Sequence, residues 1–420
     1  MLLAIIYFIL FCLIIKKNSL FQSLNLRSTF LLAIFSLKFL CGLFLGWLYA
    51  SYYQQGDTFH YLQDANIFQS LLIQQPFEYL KVMTGIGTTD TSFYSQLTLW
   101  NDSGLTSLYN DTRTLIRLNA FLRIFSFGYY EVHVLFMSFI SFCGLTMLYR
   151  IAIYYSPQKD KLLAIAVFCI PSVMLWGSGL MKEPLQIFAM CFALFQFHKL
   201  TLQASPKRIF FFSISMLLLF FTRNYIFLAF IPGLIAWLIF IRYKRLNCML
   251  LFICCYVVMM IVALQLKIIS PKYDVALMLY EKQIIYWKNA VVYNAHSLIN
   301  RVPFAPSAIS VIKRSPEAFW LTLSQPYAWQ CKSLFYYFSA IENSILILLL
   351  ATSLFKLDKQ ELKTNPLFAF GLCFCITLFI IIGFTTPVVG AIVRYKVPGL
   401  LLIGVSIVIG KRVGKGALIV

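Results

Sequence analysis

The stretch TFLLAIFSLKFLCGLFLGWLYASYYQQGDTFHYLQDA, residues 29–65, contains the feature on which the fold depends. Its first part, residues 29–52, is a continuous apolar run whose only charged residue is Lys38. About 20 residues of helix cross a hydrocarbon core of ~30 Å. This run therefore predicts a membrane-spanning helix, and the polar residues that follow it predict an exit from the lipid.

The composition extends this prediction to the whole chain. Of the 420 residues, 60% are hydrophobic and 12% are charged, and the mean hydropathy is +0.80. Soluble domains carry about 25% charged residues. The sequence predicts an all-α protein, a polytopic transmembrane helical bundle of about eleven spans. They fall near residues 1–15, 29–52, 130–155, 162–179, 185–198, 208–222, 225–241, 248–266, 337–355, 366–384 and 397–410.

The net charge of +20 does not indicate nucleic-acid binding, because the basic residues lie between apolar runs rather than on one soluble region. They reach a common side of the membrane if the N-terminus is outside and the C-terminus is cytoplasmic. The groups are Lys16, Lys17 and Arg27; Arg150, Lys159 and Lys161; Lys199, Lys207 and Arg208; Arg242, Lys244 and Arg245; Lys356, Lys359 and Lys363; and Lys411, Arg412 and Lys415.

We interpret residues 1–420 as one transmembrane domain with two long external segments. The first, residues 53–129, contains mixed polar and apolar stretches at 68–80 and 112–125, which are typical of helices lying in the membrane interface. The second, residues 267–336, is rich in Tyr, Trp and Pro, and we expect its part at 293–306 to cap a cavity.

Most of the 11 cysteines lie inside apolar runs, where free Cys behaves as a small hydrophobe. The pair at Cys373 and Cys375 sits in a predicted span, and the histidines have no ligand spacing with any cysteine. The sequence therefore predicts no metal site of the zinc type.

Five charged residues on the external side do not follow the orientation rule. Lys182 and Glu183 follow one apolar run, Arg223 stands in a short turn, and Arg394 and Lys396 lie in the segment GAIVRYKVP. Charge close to lipid is costly and is usually paired or functional. The cations suit a phosphate or diphosphate, for which Arg offers a planar donor fork. Local ion pairs and snorkelling towards headgroups are the structural alternatives.

Asp57 stands at the start of the polar stretch. In a helix it shares one face with Tyr61 and Asp64, at positions i, i+4 and i+7. A carboxylate at the outer surface suits a general base towards an acceptor hydroxyl, or a ligand of a divalent cation. The alternative is a helix N-cap, because Asp is common where a helix begins.

The segment GDTFHYLQDA, residues 56–65, resembles the D-x-x-x-Y-x-x-x-A signature of GT-C membrane glycosyltransferases. These enzymes move a sugar from a polyprenyl-phosphate donor to an acceptor on the outer side. The resemblance implies that Asp57 is the catalytic base or a metal-contacting group, with Tyr61 and Ala65 as its helix companions. The chain departs from the pattern at Thr58, where many members carry a second acid. The resemblance therefore leaves the cofactor unknown, and it does not firmly indicate a divalent cation.

The resemblance implies a glycosyltransferase of a bacterial inner (plasma) membrane that acts on its external face in cell-surface glycan assembly. Its partners would be the lipid-linked donor, a glycan, lipid or protein acceptor and membrane lipids, with no nucleic acid. Beside the base Asp57, the expected substrate-binding residues are Tyr61, Lys182, Glu183, Arg223, Arg394, Tyr395 and Lys396.

Two other classes stay open from sequence. One is an O-antigen or exopolysaccharide polymerase or ligase, in which Arg223 and Arg394 would matter more than Asp57. The other is a transporter that flips lipid-linked sugars. Transporters often carry charges at the bilayer midplane, whereas the unexplained charges here lie mostly at the outer face, which favours surface chemistry.

Overall fold

The computed structural model describes residues 2–53, 56–86, 96–102, 110–292, 295, 297–299, 303–331 and 333–412. In these residues the chain is helical and has no strand beyond two isolated β-bridges, Leu298 with Val388 and Leu357 with Lys411. The prediction of an all-α fold is confirmed. A helix satisfies its backbone hydrogen bonds internally, which is the condition for crossing lipid.

The described residues form the following helices, in the order of the chain. They are α1 (Leu2–Lys17), α2 (Ser19–Gln22), α3 (Ser28–Trp47), α4 (Asp57–Gln74), α5 (Pro76–Thr84), α6 (Leu99–Asp102), α7 (Asp111–Ser126), α8 (Tyr130–Tyr155), α9 (Asp160–Phe168), α10 (Pro171–Trp176), α11 (Lys182–Leu202), α12 (Pro206–Thr222), α13 (Asn224–Arg242), α14 (Cys248–Gln265), α15 (Val275–Val292), α16 (Ala308–Ser324), α17 (Leu334–Phe355), α18 (Lys359–Thr364), α19 (Pro366–Thr385), α20 (Val389–Tyr395) and α21 (Val397–Gly410).

In the part of the chain that the structure describes, seven helices are long and apolar enough to cross a membrane, and α20 with α21 forms a further candidate span bent by 52°. The seven are Ser28–Tyr52, Tyr130–Tyr155, Lys182–Leu202, Asn224–Arg242, Cys248–Ile268, Leu334–Phe355 and Pro366–Thr385. The predicted spans at 1–15, 162–179 and 208–222 correspond to shorter or broken helices, so the count of eleven and the orientation stay predictions.

The helices α14 and α17 carry many large apolar side chains that the protein does not cover. Leu348, Leu354 and Phe355 of α17 are all exposed, as are Val258 and Ile261 of α14. Water would oppose such exposure, whereas lipid tails do not. These faces support a membrane-embedded protein.

The chain forms two compact units. The first comprises residues 1–150 and 174–224, and the second comprises residues 151–173 and 225–420. The prediction of one transmembrane domain over residues 1–420 stays a prediction.

Aromatic packing joins α1, α3 and α8 in the first unit. The rings of Phe11 and Phe139 stack with centroids 4.2 Å apart, and Phe35 meets Phe139 edge-on at 5.8 Å. Beside them, Lys38 is fully buried and donates a hydrogen bond of 2.8 Å to the carbonyl oxygen of Gly177. Among the described residues, Lys38 is therefore held by a backbone carbonyl group inside the protein rather than extended towards the membrane surface.

The first external segment contains the helices that the mixed stretches predict. The stretch 68–80 lies in α4 and α5, which are separated at Pro76, and the stretch 112–125 lies in α7. They pack around a buried cluster that includes Tyr61, Phe68 and Trp100. Their position in the membrane interface stays a prediction.

In the second unit, α19 packs against α16 and α21. Gly383 of α19 faces the backbone of α16, where a Cβ would collide with the carbonyl oxygen of Ala318. Close approach of the two helices therefore requires glycine at this position. Thr322 of α16 fastens the contact by donating a hydrogen bond of 2.8 Å to the carbonyl oxygen of Phe379.

The predicted cap at 293–306 is described only in part. Residues 293, 294, 296 and 300–302 lie outside the described residues. Residues 297–299 run beside residues 387–389: Ile299 donates its backbone N–H to Pro387 at 2.7 Å, and Val389 donates to Ser297 at 3.0 Å. The capping role stays a prediction.

Asp64 of α4 holds the chain around Trp100 in place, so its loss is expected to destabilise the first unit. Its carboxylate accepts hydrogen bonds from Thr98 N (2.9 Å), Thr98 Oγ1 (3.0 Å) and Trp100 N (3.1 Å) while fully buried. Asp64→Ala leaves these donors without an acceptor and should lower the free energy of unfolding by about 3 kcal/mol. Thermal unfolding in detergent measures this.

The matched control is Gln63→Ala, which changes the adjacent, exposed residue of the same helix. It should shift stability by less than about 0.5 kcal/mol. Equal melting temperatures for Asp64→Ala and Gln63→Ala would contradict the assigned role of Asp64.

Candidate functional site

Four charged side chains from three separate parts of the chain meet in the first unit. Asp111 is the first residue of α7, Lys182 and Glu183 open α11, and Arg223 joins α12 to α13. We call these four residues the charge cluster. Lys182, Glu183 and Arg223 were predicted from sequence as substrate-binding residues, and the structure brings them together.

Local sequence explains where these helices begin and end. Asn110 is the N-cap of α7, and its side chain accepts a hydrogen bond of 2.8 Å from the backbone N–H of Arg113. Pro184 occupies the first turn of α11, where its missing N–H costs no helical hydrogen bond. Arg223 has an extended backbone that ends α12. Each cluster residue therefore lies at a helix end rather than inside a helix.

Two of the ion pairs in the cluster share one carboxylate oxygen. Asp111 Oδ2 lies 2.8 Å from Lys182 Nζ and 3.3 Å from Arg223 Nη1. Arg223 Nη2 lies 3.7 Å from Glu183 Oε1, and Lys182 also donates to Thr112 Oγ1 at 2.9 Å. Arg223 thus bridges two carboxylates with its planar fork, which an ammonium group cannot do in the same way.

The cluster is buried on one side and accessible on the other. The side chain of Asp111 is 30% exposed, whereas that of Glu183 is 1% exposed and those of Lys182 and Arg223 are buried. Buried charges are costly unless they are paired, so the two cations and two carboxylates stabilise one another. Asp111 is therefore the most accessible side chain of the cluster.

Burial by itself raises the pKa of the Asp111 carboxyl group, but the nearby Lys182 and Arg223 outweigh burial and hold the pKa below its usual value. Asp111 is therefore ionised at neutral pH and is a weak base. Its position at the start of α7 adds the favourable field of the helix N-terminus. This carboxylate suits the holding of cations better than the removal of a proton.

Asp57 begins α4 and is half-buried. The N-cap position belongs to Gly56, with φ of +148°, so the N-cap interpretation of Asp57 is wrong by one residue. The next residue, Thr58, donates a hydrogen bond of 3.0 Å to the carbonyl oxygen of Leu180, and its hydroxyl lies 3.0 Å from that of Tyr130. These bonds fix the first turn of α4 to the turn that precedes Lys182.

The other residues of the predicted Asp57 stripe are structural. Tyr61 is buried in the hydrophobic cluster between α4 and its neighbours, and Asp64 accepts the three hydrogen bonds described above. The predicted role of Tyr61 in lining a sugar site therefore has no support in this geometry.

The remaining predicted residues belong to the second unit. Arg394 and Tyr395 end α20, both half-buried, with the Arg394 guanidinium 5.6 Å from the centre of the Tyr395 ring. Both are partly accessible and stay candidates for substrate contact. A joint site that combines them with Asp57 stays a prediction.

Lys396 differs from Arg394 and Tyr395 because its side chain is buried and hydrogen-bonded inside the protein. It is 1% exposed and donates to Asn343 Oδ1 at 2.7 Å, the Gln325 carbonyl oxygen at 2.9 Å and the Thr322 carbonyl oxygen at 3.3 Å. Its three N–H groups all have acceptors. Lys396 thus fastens α16, α17 and α21, and a phosphate-binding role has no support in this geometry.

Asp111 is the residue that sequence reasoning missed. The sequence signal is the run Asn110-Asp111-Thr112, which combines a capping residue with an acid immediately before the predicted interfacial helix. Nothing local shows that this acid meets Lys182 and Arg223, since these lie far along the chain. Among the described residues, no group of three or more His, Cys, Asp or Glu side chains is arranged to hold a metal ion.

Comparisons of the chain with protein-family models, with curated proteins and with solved structures find no match. The fold and the charge cluster define an all-α, membrane-embedded protein with buried, paired charges at helix ends. The likeness to GT-C glycosyltransferases rests on residues 56–65.

Removing Asp111 is expected to destabilise the first unit strongly. Asp111→Ala leaves the buried Lys182 and Arg223 without their shared carboxylate, and breaking such a pair costs about 3 kcal/mol. Thermal unfolding of the purified protein measures the loss. The exposed Glu281→Ala serves as control and should change stability by less than about 0.5 kcal/mol. Similar melting curves for the two variants would contradict the pairing.

The contribution of Asp111 should also depend on pH. Its folded pKa is below the unfolded value, so its stabilisation is complete above the unfolded pKa and is lost as the pH falls through the folded pKa. The difference in melting temperature between the wild type and Asp111→Asn should shrink between about pH 7 and about pH 3. A difference that stays constant over this range would contradict an ionised, paired Asp111.

Proposed function

We propose that the protein is a membrane glycosyltransferase that moves a sugar from a polyprenyl-phosphate-linked donor to an acceptor. The reaction takes place at the outer face of a bacterial plasma membrane, in the assembly of a cell-surface glycan. The observation that carries the proposal is the charge cluster, where Lys182 and Arg223 meet Asp111 at an accessible edge close to the first turn of α4.

The cluster supports binding of a phosphate group. Lys182 and Arg223 supply donors that are already oriented by Asp111 and Glu183, and α7 and α11 direct their N-terminal ends into the same region. Preorganised donors of this kind stabilise negative charge that develops on a leaving group. A phosphate that approaches from the exposed side competes with Asp111 for Lys182 and Arg223.

Asp57 takes the role of general base in this proposal. The acceptor hydroxyl oxygen forms a bond to the anomeric carbon of the donor sugar, and its proton passes to the Asp57 carboxylate. The bond between the anomeric carbon and the phosphate oxygen breaks, and polyprenyl phosphate leaves with the electron pair. Lys182 and Arg223 stabilise the charge that grows on the departing phosphate.

A second candidate is an O-antigen or exopolysaccharide polymerase or ligase. The bridging position of Arg223 between Asp111 and Glu183 favours this candidate, because such an enzyme relies on arginines that hold a lipid diphosphate. In this class Asp57 contributes less than Arg223, and the same set of variants separates the two candidates.

The test uses purified protein in vesicles with a labelled polyprenyl-phosphate sugar and bacterial membrane extract as the source of acceptor. Release of polyprenyl phosphate is measured. Asp57→Asn should reduce the rate by about 100-fold or more, as expected for loss of a general base. Arg223→Lys keeps the positive charge but loses the planar guanidinium group with its paired donors. This variant should reduce the rate about 100-fold.

Arg245→Lys is the matched control, since Arg245 is exposed and lies outside the charge cluster. It should leave the rate unchanged. Full activity of Asp57→Asn with loss in Arg223→Lys would favour the polymerase or ligase. Movement of the lipid-linked sugar across the vesicle without release of polyprenyl phosphate would overturn the transferase and support a transporter.

A further inference from the structure

The second unit contains a cavity of about 640 Å³ that the charge cluster does not explain. Its walls are formed by α9, by the residues that follow α9, by α17 and by α21. Most of the lining side chains are aliphatic. The volume lies within the range of about 300–1,000 Å³ that is typical of ligand sites, and the lining suits a hydrocarbon chain.

The cavity is open along one side. Ile165 of α9 and Ile341 and Ile345 of α17 line it, and each of these side chains is more than half exposed. Since α17 is a candidate membrane span, its exposed apolar side chains face lipid when the protein is in a membrane. A hydrocarbon chain can therefore enter the cavity from the surrounding lipid.

Two lysines lie at one end of the cavity. Lys356 follows the last residue of α17, and Lys411 follows the last residue of α21. Backbone pairing holds these two helix ends together: Leu357 and Lys411 form an isolated β-bridge, and Arg412 donates its backbone N–H to the carbonyl oxygen of Lys356 at 2.9 Å. The fold therefore places two positive charges at the same end of an aliphatic cavity.

The ammonium groups of Lys356 and Lys411 are accessible to a ligand. Both residues are exposed, and among the described residues neither forms an ion pair with a carboxylate. The acids that follow Lys356 in sequence have other partners. Asp358 caps α18 by accepting the backbone N–H of Gln360 at 2.9 Å, and Glu361 accepts a hydrogen bond of 2.8 Å from the Asn365 side chain.

The cavity has no such cation at its other end, where Glu342 contributes a carboxyl group to the lining. Its Oε2 atom accepts hydrogen bonds from the backbone N–H (3.1 Å) and the hydroxyl group (2.6 Å) of Ser172. Along α17, Glu342 and Lys356 are separated by about 21 Å of helix. This length accommodates an acyl chain, which covers half of a hydrocarbon core of ~30 Å. A phosphate is attracted to the lysine end and not to the Glu342 end.

We infer that this cavity binds an anionic phospholipid, with one acyl chain between α9, α17 and α21 and the phosphate at Lys356 and Lys411. The aliphatic lining contacts the chain, and the lysines select a negatively charged headgroup. Both lysines belong to basic groups that the sequence predicts at a common membrane surface, which is where a phospholipid carries its headgroup. The inference goes beyond the proposed sugar transfer and does not rest on it.

The test is native mass spectrometry of the full-length protein in detergent, titrated with dioleoylphosphatidylglycerol or dioleoylphosphatidylcholine. The two lipids have the same chains, but only the first has a net negative charge. The wild type should bind its first phosphatidylglycerol about 25-fold more tightly than its first phosphatidylcholine, because each lysine beside the headgroup contributes about five-fold. The double variant Lys356→Gln/Lys411→Gln should lose this preference and bind phosphatidylcholine as the wild type does.

The matched control for the headgroup is the double variant Lys244→Gln/Arg245→Gln. It removes the same charge from two exposed residues of the same unit that do not line the cavity. This control should keep the preference of the wild type for phosphatidylglycerol. It separates binding at the cavity from a general attraction of anionic lipids to a chain with a net charge of +20.

Thr352→Trp tests the contact with the acyl chain. Thr352 is exposed and lines the cavity about one turn before Lys356, so an indole ring at this position occupies space that the chain needs. The variant should weaken the binding of both lipids about ten-fold, as expected when about two methylene groups lose their contacts. Leu354→Trp is the control, since Leu354 is on the same helix, is 72% exposed and does not line the cavity.

All the substituted side chains are exposed, so each variant should melt at the temperature of the wild type, and weaker binding then reports the lost contact. Three results would each overturn the inference. The wild type binds the two lipids equally, the Lys356→Gln/Lys411→Gln variant keeps as much preference as its control, or Thr352→Trp binds both lipids as Leu354→Trp does.

Discussion

The carboxylate of Asp111 is the point on which the arrangement of the first unit depends. It accepts the ammonium of Lys182 and the guanidinium of Arg223, which come from different helices, and Arg223 also reaches Glu183. Taking these cations out of water is costly, and the carboxylate of Asp111 offsets that cost. The pairing therefore brings the ends of these helices together.

In the second unit, a buried cation is stabilised by neutral hydrogen-bond acceptors. In the described part of the second unit, Lys396 donates to two carbonyl oxygens and the amide oxygen of Asn343 rather than to a carboxylate. Lys38 in the first unit likewise donates to a carbonyl oxygen. A buried ammonium can thus hold helices together with neutral acceptors, whereas the accessible charge cluster uses full ion pairs and keeps one edge open at Asp111.

Several features could be predicted from local sequence. The helix that starts at Asp57, the two helices of the stretch 68–80 and the helix over residues 112–125 follow from apolar spacing and from Pro76. The unusual external charges Lys182, Glu183 and Arg223 could be selected because charge near lipid requires a partner. Their common partner Asp111 could not be chosen, since an acid at a helix start is ordinary and its contacts are distant in sequence.

The sequence by itself determined that this protein is helical and membrane-embedded, because long apolar runs can satisfy their backbone and their side chains only as helices in lipid. It also determined which charges need an explanation. Only the tertiary structure decided what each charge does. Lys396 is buried and connects helices by hydrogen bonds, and Asp64 accepts hydrogen bonds from the segment at Trp100. Arg223 and Lys182 both pair with Asp111. The physical reason is that hydrogen bonds and ion pairs act over a few ångströms, and only folding brings residues so far apart in the chain within that distance.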